Sequence, residues 1–371
     1  MKITSITTYT VEVPIRKELM ITSSLGTHSV TRLVLLRLET DEGVTGIGEA
    51  TVTPRWSGET AYGAKAIIDQ YLAPAMIGRD VRDIPGALAA MENVVWYNPF
   101  AKSAIEMAML DAWGKAEGKP LYELLGGAVR DLAIPIRFSL AALAPEVTAA
   151  NAARRVAWGH KTVKVKVGMD ASADVARLKA VRDAIGPNVL LTVDANGGWS
   201  VEDAVWALNE MAPLNLTLAE QPVRREDLDG MAEVRRRVDV PIMADEGVFT
   251  VWDAEQALKK EACDIIAVYP GKNGGITVSK QICELAAEQG VACAVGSNLE
   301  LDPGTAAMCH LTVATENIAA DRYHGDILGT LYHEVPVVRN PLKLEAGYAH
   351  LTTGPGLGLE MDWETVARLA L

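Results

Sequence analysis

Asp194, Glu220 and Asp245 stand 26 (194 to 220) and 25 (220 to 245) residues apart, each at the end of an apolar run. Lys166 precedes the first of them by 28 residues (166 to 194) and closes a run that also carries Lys164. A strand, a helix and two loops take roughly 25–30 residues. The spacing therefore predicts one charged group at the same point of four successive βα units. In a parallel barrel those points converge on one mouth, which is where such barrels place their chemistry. Three carboxylates brought together repel one another unless a cation neutralises them. The pattern predicts a divalent-cation site of Asp194, Glu220 and Asp245 facing two lysines. All-oxygen ligands with open positions favour Mg²⁺, with Mn²⁺ as a substitute.

Lys164 and Lys166 are two apart on a strand, so their side chains share a face. Val163, Val165 and Val167 flank them, which favours an inward face over a solvated rim. Two inward ammonium groups are expected to depress each other's pKa, and desolvation adds to this. One of them can then act as a general base. Asn196 shares the face of Asp194, where it could hydrogen-bond substrate or orient the ligand. Glu220-Gln221-Pro222 and Ala244-Asp245-Glu246 close their own runs in the same way.

The elements that must position these groups fall into two rhythms. Ile3 to Pro14 and Ser29 to Glu39 alternate apolar and polar positions, Thr40-Asp41-Glu42-Gly43 supplies a turn, and Gly46-Ile47-Gly48-Glu49-Ala50 completes a three-stranded meander. Helical patterns follow at 63–77, 84–94 and 101–117. Strands followed by helices make residues 1–125 an α+β domain. From there apolar runs at 134–140, 162–167, 190–193, 216–218, 242–244, 264–268 and 292–296 alternate with helical stretches at 172–185, 201–211, 228–238, 251–260 and 276–288. Seven strands are clear and an eighth is expected near 318–323. The reading is α/β: a TIM-type barrel over 126–335, capped by the first domain, with 336–371 returning to the cap.

The set Lys164-Val165-Lys166, Asp194-Ala195-Asn196, Glu220-Gln221-Pro222 and Ala244-Asp245-Glu246 resembles the enolase superfamily, in its muconate-lactonizing (muconate cycloisomerase) subgroup of the mandelate racemase/muconate lactonizing enzymes. The resemblance covers essentially the whole chain, including Gly271-Lys272-Asn273-Gly274-Gly275. It implies a modified (β/α)7β barrel with an N-terminal capping domain. It implies that Asp194, Glu220 and Asp245 bind Mg²⁺, which chelates a substrate carboxylate and stabilises the enolate formed when the α-proton leaves. Lys166 would be the acid/base, and Lys164 would support the carboxylate and tune Lys166. By analogy it also implies a homo-oligomer.

The sequence departs from the subgroup at one telling place. A second lysine is usual on the sixth strand, and here Tyr269 stands there, with Lys272 three residues on. A phenol with pKa about 10 is a poorer proton carrier than a tuned lysine. The change disfavours a two-lysine racemase and leaves one-base reactions, with Tyr269 as a hydrogen-bond or proton donor. Asp326, in Gly325-Asp326-Ile327-Leu328-Gly329, would replace a glutamate of the subgroup. No histidine ends the seventh strand, and His310 and His324 read as ordinary residues. Substrate contacts are expected from cap loops, through Ser24, Arg55 and Trp56, and from barrel ends, through Arg137, Asn196, Glu246, Lys272, Asn298 and Glu300. Arg55 could pair with a second substrate carboxylate, and Arg137 and Ser139 are candidates for the same role.

A formal net charge of −13, from 48 acidic and 35 basic residues, argues against nucleic-acid or anionic-membrane partners. It leaves a small carboxylate substrate open, since lysines and a cation can invert the local potential. Cys263, Cys283, Cys293 and Cys309 form no C-x-x-C pair and read as buried thiols. No signal-peptide core opens the sequence, so a cytoplasmic location is the default. The expected function is a Mg²⁺-dependent muconate-type cycloisomerase. The alternatives are a hydroxy-acid dehydratase and a racemase or epimerase of an N-substituted amino acid or dipeptide.

Overall fold

The computed structural model describes residues 1–371. Its first domain contains β1 (Ile3–Pro14), β2 (Ile21–Ser23), β3 (Gly26–His28), β4 (Val30–Thr40) and β5 (Thr45–Thr51). β1, β4 and β5 form the antiparallel meander with β4 in the centre. β2 and β3 make a separate hairpin in the segment expected as a cap loop. The helix Pro99–Glu117 lies against β5. The approach is close enough that a Cβ on Gly46 or Gly48 would stand 1.9 Å from the main-chain oxygen of Ala108 or Ala104. That contact explains the Gly-Ile-Gly pattern, since only glycine admits backbone so near.

The second domain contains β6 (Ala133–Pro135), β7 (Phe138–Leu140), β8 (Thr162–Lys166), β9 (Leu190–Asp194), β10 (Leu216–Glu220), β11 (Ile242–Ala244), β12 (Ile265–Val268) and β13 (Ala292–Val295). β7 to β13 form one parallel sheet in chain order. Their near-continuous Val, Ile and Leu runs suit strands covered on both faces. The run expected as one strand over 134–140 is divided. β7 joins the barrel, while β6 pairs with β15 (Tyr348–His350), which pairs with β14 (Lys343–Glu345).

The eighth strand expected near 318–323 does not form. Tyr323 donates its N–H to Ala319 at 2.8 Å, so the segment turns instead of extending. It still joins the two edges of the sheet. Ala319 and Asp326 donate N–H groups to Cys293 and Val295 on β13, and Arg137 beside β7 donates to Gly325, each at 2.9 Å. Closure is thus made by the backbone on either side of Asp326. The helix Pro145–Ala157 was also not expected. Its buried residues are Thr148, Ala152 and Arg155, so it shows no apolar stripe to read.

Buried carboxylates from the cap tie the domains together. Glu106 accepts from the N–H groups of Ile276 and Thr277 at the start of the helix Ile276–Glu288. Glu49 accepts from Leu301 at 2.7 Å and Gly304 at 2.9 Å. The C-terminal segment reaches the cap through the helix Trp363–Leu369, whose Trp363 packs 5.5 Å from Tyr9. All four cysteines are buried and unpaired in disulfides. No helix is long and apolar enough to cross a membrane.

His310 lies in this interior, its Nδ1 accepting the N–H of Tyr122 at 3.1 Å and its Nε2 without a partner. Burial holds its pKa down to about 4, below the ordinary 6.5. The unfolded chain therefore binds a proton at this site that the folded chain refuses. The stability contributed by a neutral His310 is full above pH 6.5 and is lost as pH falls toward 4. One pH unit is worth about 1.4 kcal/mol. The destabilisation caused by His310→Asn is expected to shrink by about 1 kcal/mol between pH 7.5 and 5.5. Urea unfolding at both pH values checks this, and an unchanged difference would contradict it.

Candidate active site

The sheet's C-terminal ends open into a cleft of about 470 Å³, roofed by the cap. Its barrel side carries Ser139, Lys164, Lys166, Asp194, Asn196, Glu220, Asp245 and Asp326. Each of the paired-strand residues owes its position to register. Lys166 pairs with Asp194 across β8 and β9, and Asp194 with Glu220 across β9 and β10. The charged groups stand side by side because each strand ends in phase with its neighbour.

Lys166 is 13% exposed, and its Nζ donates to Asp194 Oδ2 at 2.5 Å and Asn196 Oδ1 at 2.9 Å. Lys164 is buried and touches three carboxylates: Asp194 at 2.9 Å, Glu220 at 2.8 Å and Asp326 at 3.1 Å. Burial, with Arg137 nearby, pushes the Lys164 pKa down, but Asp194, Glu220 and Asp326 outweigh them and hold it above the usual lysine range. This corrects the expectation that Lys164 is depressed by burial and a neighbouring ammonium. Burial likewise works to raise Asp194, yet Lys164 and Lys166 hold it well below the usual carboxylate range.

The acids repel one another as well. Burial, then Asp194 and Asp245, overcome Lys164 and Arg137 to raise Glu220 to about 7. Burial, then Asp245 and Asp194, raise Glu246 to about 8. Glu246 accepts from Asn196 Nδ2 at 2.6 Å through Oε1, while its buried Oε2 has no partner. No three acids, histidines or cysteines are gathered into a ready-made cation shell, because ion pairs occupy the acidic oxygens. The donor set nonetheless suits a hard dication. Every candidate ligand is an oxygen, the acids crowd one another, and a cation would relieve the repulsion.

Several expected contacts lie elsewhere. Arg137 does not reach the cleft: it is fully buried, with Nη2 on Glu220 at 2.8 Å. A guanidinium beside a buried carboxylate serves that carboxylate first. Ser24 also lies outside the lining, and its hydroxyl donates to the main-chain oxygen of Ala195 at 3.0 Å, pinning the β2–β3 hairpin to the barrel. Glu300 is buried behind the loop and accepts from Ser297 Oγ at 2.6 Å. Lys272 is not a loop residue at the mouth but is enclosed under Asp245. Tyr269 is buried outside the lining, its ring 5.9 Å from that of Trp56 and its hydroxyl without a partner. Burial, then Asp245 and Glu300, hold the phenol well above its ordinary pKa.

Asp326 does face the cleft, accepting from Ser139 Oγ at 3.1 and 3.2 Å as well as from Lys164. Asn298 also lines it, held by the main-chain oxygen of Thr51 at 2.8 Å and the hydroxyl of Thr53 at 3.0 Å. Arg55 and Trp56 form part of the roof, Arg55 exposed and Trp56 packed on Phe249. His28, Arg32 and Tyr62 join them and were not foreseen. The signal available was the hairpin between the first two long strands, which brings His28 beneath the roof. His310 and His324 do not line the cleft, and His324 bonds Thr162 at 2.8 Å.

Comparison with known proteins gives two family matches. Residues 147–366 match the enolase C-terminal domain-like family, and residues 5–126 match the mandelate racemase / muconate lactonizing enzyme N-terminal domain. The N-succinyl-L-Arg/Lys racemase of Bacillus cereus is 32% identical, with 100% of this chain and 98% of that protein aligned. Muconate cycloisomerase 1 of Rhodococcus opacus is also 32% identical, over 99% and 98%. A dipeptide epimerase of Enterococcus faecalis, solved with Mg and the dipeptide L-Leu-L-Tyr, superposes with a TM-score of 0.92 at 33% identity, covering 97% of this chain and 100% of that one.

Proposed function

Since the chain belongs to the mandelate racemase/muconate lactonizing enzyme family of the enolase superfamily, we propose that it moves a proton at the carbon α to a substrate carboxylate, by one base, in a muconate-type cycloisomerization. The observation that carries this reading is the distribution of amines. Lys164 and Lys166 are the only lysines lining the cleft, and both come from β8. The wall formed by the seventh-strand loop offers Ser297, Asn298 and Leu299. A reaction that takes and returns its proton on one face needs no second amine.

Asp194, Glu220 and Asp245 would hold Mg²⁺, and the ion would supply fixed positive charge against a substrate carboxylate. Lys166 sits at the cleft surface, so it is the group assigned to the proton at Cα. Lys164 keeps its charge, because three carboxylates favour the ammonium form. It therefore stabilises negative charge that develops on the substrate and takes no proton itself. Asn196, between Lys166 and Glu246, fixes the direction of the Lys166 ammonium. Arg55, exposed on the roof, is placed to meet a second anionic group of a diacid.

A racemase or epimerase of an N-substituted amino acid or dipeptide is the second reading, favoured by the activities of two of the relatives named above. It needs a proton carrier on the opposite face, and Tyr269, the residue the sequence offers for that role, is buried outside the cleft lining with its pKa raised by burial. A hydroxy-acid dehydratase would need a donor to the leaving hydroxyl. Incubation with Mg²⁺ and a panel of muconates, N-succinyl amino acids, dipeptides and hydroxy acids, followed by proton NMR, separates the three: lactone, inverted Cα or 2-keto acid.

Tyr269 gives a sharper test. Its hydroxyl has no partner, so Tyr269→Phe is expected to leave stability and turnover within about threefold of wild type. A drop of several orders of magnitude in turnover would make the phenol a proton donor and favour the dehydratase. Tyr269→Lys buries an amine outside the cleft lining and is expected to add no proton exchange on the second face, and the appearance of such exchange would place that position against Cα.

A further inference from the structure

Lys272 is a buried lysine for which the proposed reaction has no use. It belongs to the short helix Pro270–Asn273, just beyond β12, and has no exposed surface. Its Nζ donates to three oxygens: the main-chain oxygen of Ala267 at 2.6 Å, the main-chain oxygen of Asp245 at 3.0 Å and Asp245 Oδ1 at 3.0 Å. The ring of Tyr269 lies 4.9 Å from the same atom. Neither residue lines the cleft, whereas Asp245 does.

We infer that Lys272 is a positioning residue that holds Asp245 in the orientation a divalent cation requires. The inference rests on the reading that Asp245 is a cation ligand. Three oxygens converge on the Lys272 ammonium, and no other donor is recorded for Asp245 Oδ1. With the ammonium gone, the carboxylate would face two main-chain oxygens across a dry gap. It would turn away, which removes it as a ligand. Lys272 and Tyr269 beside it have no exposed surface, so solvent is not at hand to replace the lost donor.

Charge alone predicts the opposite. Deleting a cation near the site should draw Mg²⁺ more strongly by Coulomb's law. Orientation is expected to win, because Lys272 is fixed by main-chain oxygens on β12 and beside β11 and uses one carboxylate oxygen only. That leaves the other oxygen of this cleft-lining residue free of Lys272. Loss of such an outer partner typically weakens metal binding by about 10–100-fold. Lys272 is buried and does not line the cleft, so this lysine is not the missing second base.

The test is calorimetric titration of Mg²⁺ into the full-length wild-type chain, Lys272→Met and Lys272→Gln, with thermal unfolding in EDTA as the control for folding. Lys272→Met keeps the stem and removes the donor, and it is expected to bind Mg²⁺ about 10–100-fold more weakly. Lys272→Gln restores an N–H and is expected to recover part of the affinity. Mg²⁺ binding by Lys272→Met within twofold of wild type, or tighter, overturns the inference. So does failure of both variants to fold, since Lys272 would then serve the fold and not the ligand. A wild-type chain that binds no Mg²⁺ is a different result, because it removes the cation reading on which the inference rests.

Discussion

Lys166→Ala is expected to lose about 10³- to 10⁴-fold in turnover while unfolding at nearly the wild-type temperature. The size follows from its role: general acid–base groups typically contribute 10²–10⁴-fold, and no other lysine at the cleft is free to substitute. Lys164 is committed to Asp194, Glu220 and Asp326. The small effect on stability follows from position. Lys166 is at the cleft surface, and without it Asp194 still has Lys164 at 2.9 Å and the N–H of Asn196, also at 2.9 Å. Lys166→Arg should be as inactive as Lys166→Ala, because a guanidinium keeps its proton at any working pH. Steady-state rates and thermal melts on the three chains check both halves. A variant with ordinary turnover would remove Lys166 from its assigned role.

Chelation is expected to have a comparable effect. EDTA should reduce turnover to background and Mg²⁺ should restore it. The cation should also stabilise the fold, by about 2.7 kcal/mol when its concentration is a hundred times its dissociation constant. Glu220→Gln is the matching substitution. It removes one acid from a group in which burial, then repulsion from Asp194 and Asp245, already raises Glu220 to about 7. It should therefore abolish the Mg²⁺-induced rise in melting temperature without lowering the melting temperature measured in EDTA by more than a few degrees. An enzyme indifferent to chelator, or a Glu220→Gln chain that Mg²⁺ stabilises as wild type, would contradict the cation site.

The charged cluster was legible in the sequence because it repeats with the structure's own period. Strand, helix and loops consume a nearly constant length, so charged residues 25 to 28 apart must recur at equivalent strand ends. Lys166, Asp194, Glu220 and Asp245 were visible for that reason, and the register of β8, β9 and β10 aligns the first three. The cap's meander and its helix over 84–94 were legible through alternation and helical periodicity.

What stayed hidden depends on contacts between segments far apart in sequence. Arg137 looks like a substrate ligand at a strand end, yet Glu220 claims it from 83 residues away. Lys272 looks like a loop lysine, and only the fold shows three oxygens waiting for it. The eighth strand reads from composition as extended, but the barrel closes through single bridges at Ile136–Gly325 and Cys293–Ile318. Ser24 reads as a polar loop tip, and its role as a strut depends on Ala195, 171 residues on. None of these leaves a local periodic trace, so none could be read from a window of sequence.

The most direct test of the account is proton exchange in deuterium oxide. Muconolactone, N-succinyl amino acids and dipeptides are incubated with the Mg²⁺-loaded chain and followed by NMR at the carbon α to the carboxylate. The account predicts that at least one of them, muconolactone first, gains a single deuterium there, at a rate abolished by EDTA and by Lys166→Ala. Folded, Mg²⁺-loaded protein that exchanges no α-proton in any of them, or exchange undiminished in Lys166→Ala, would contradict it.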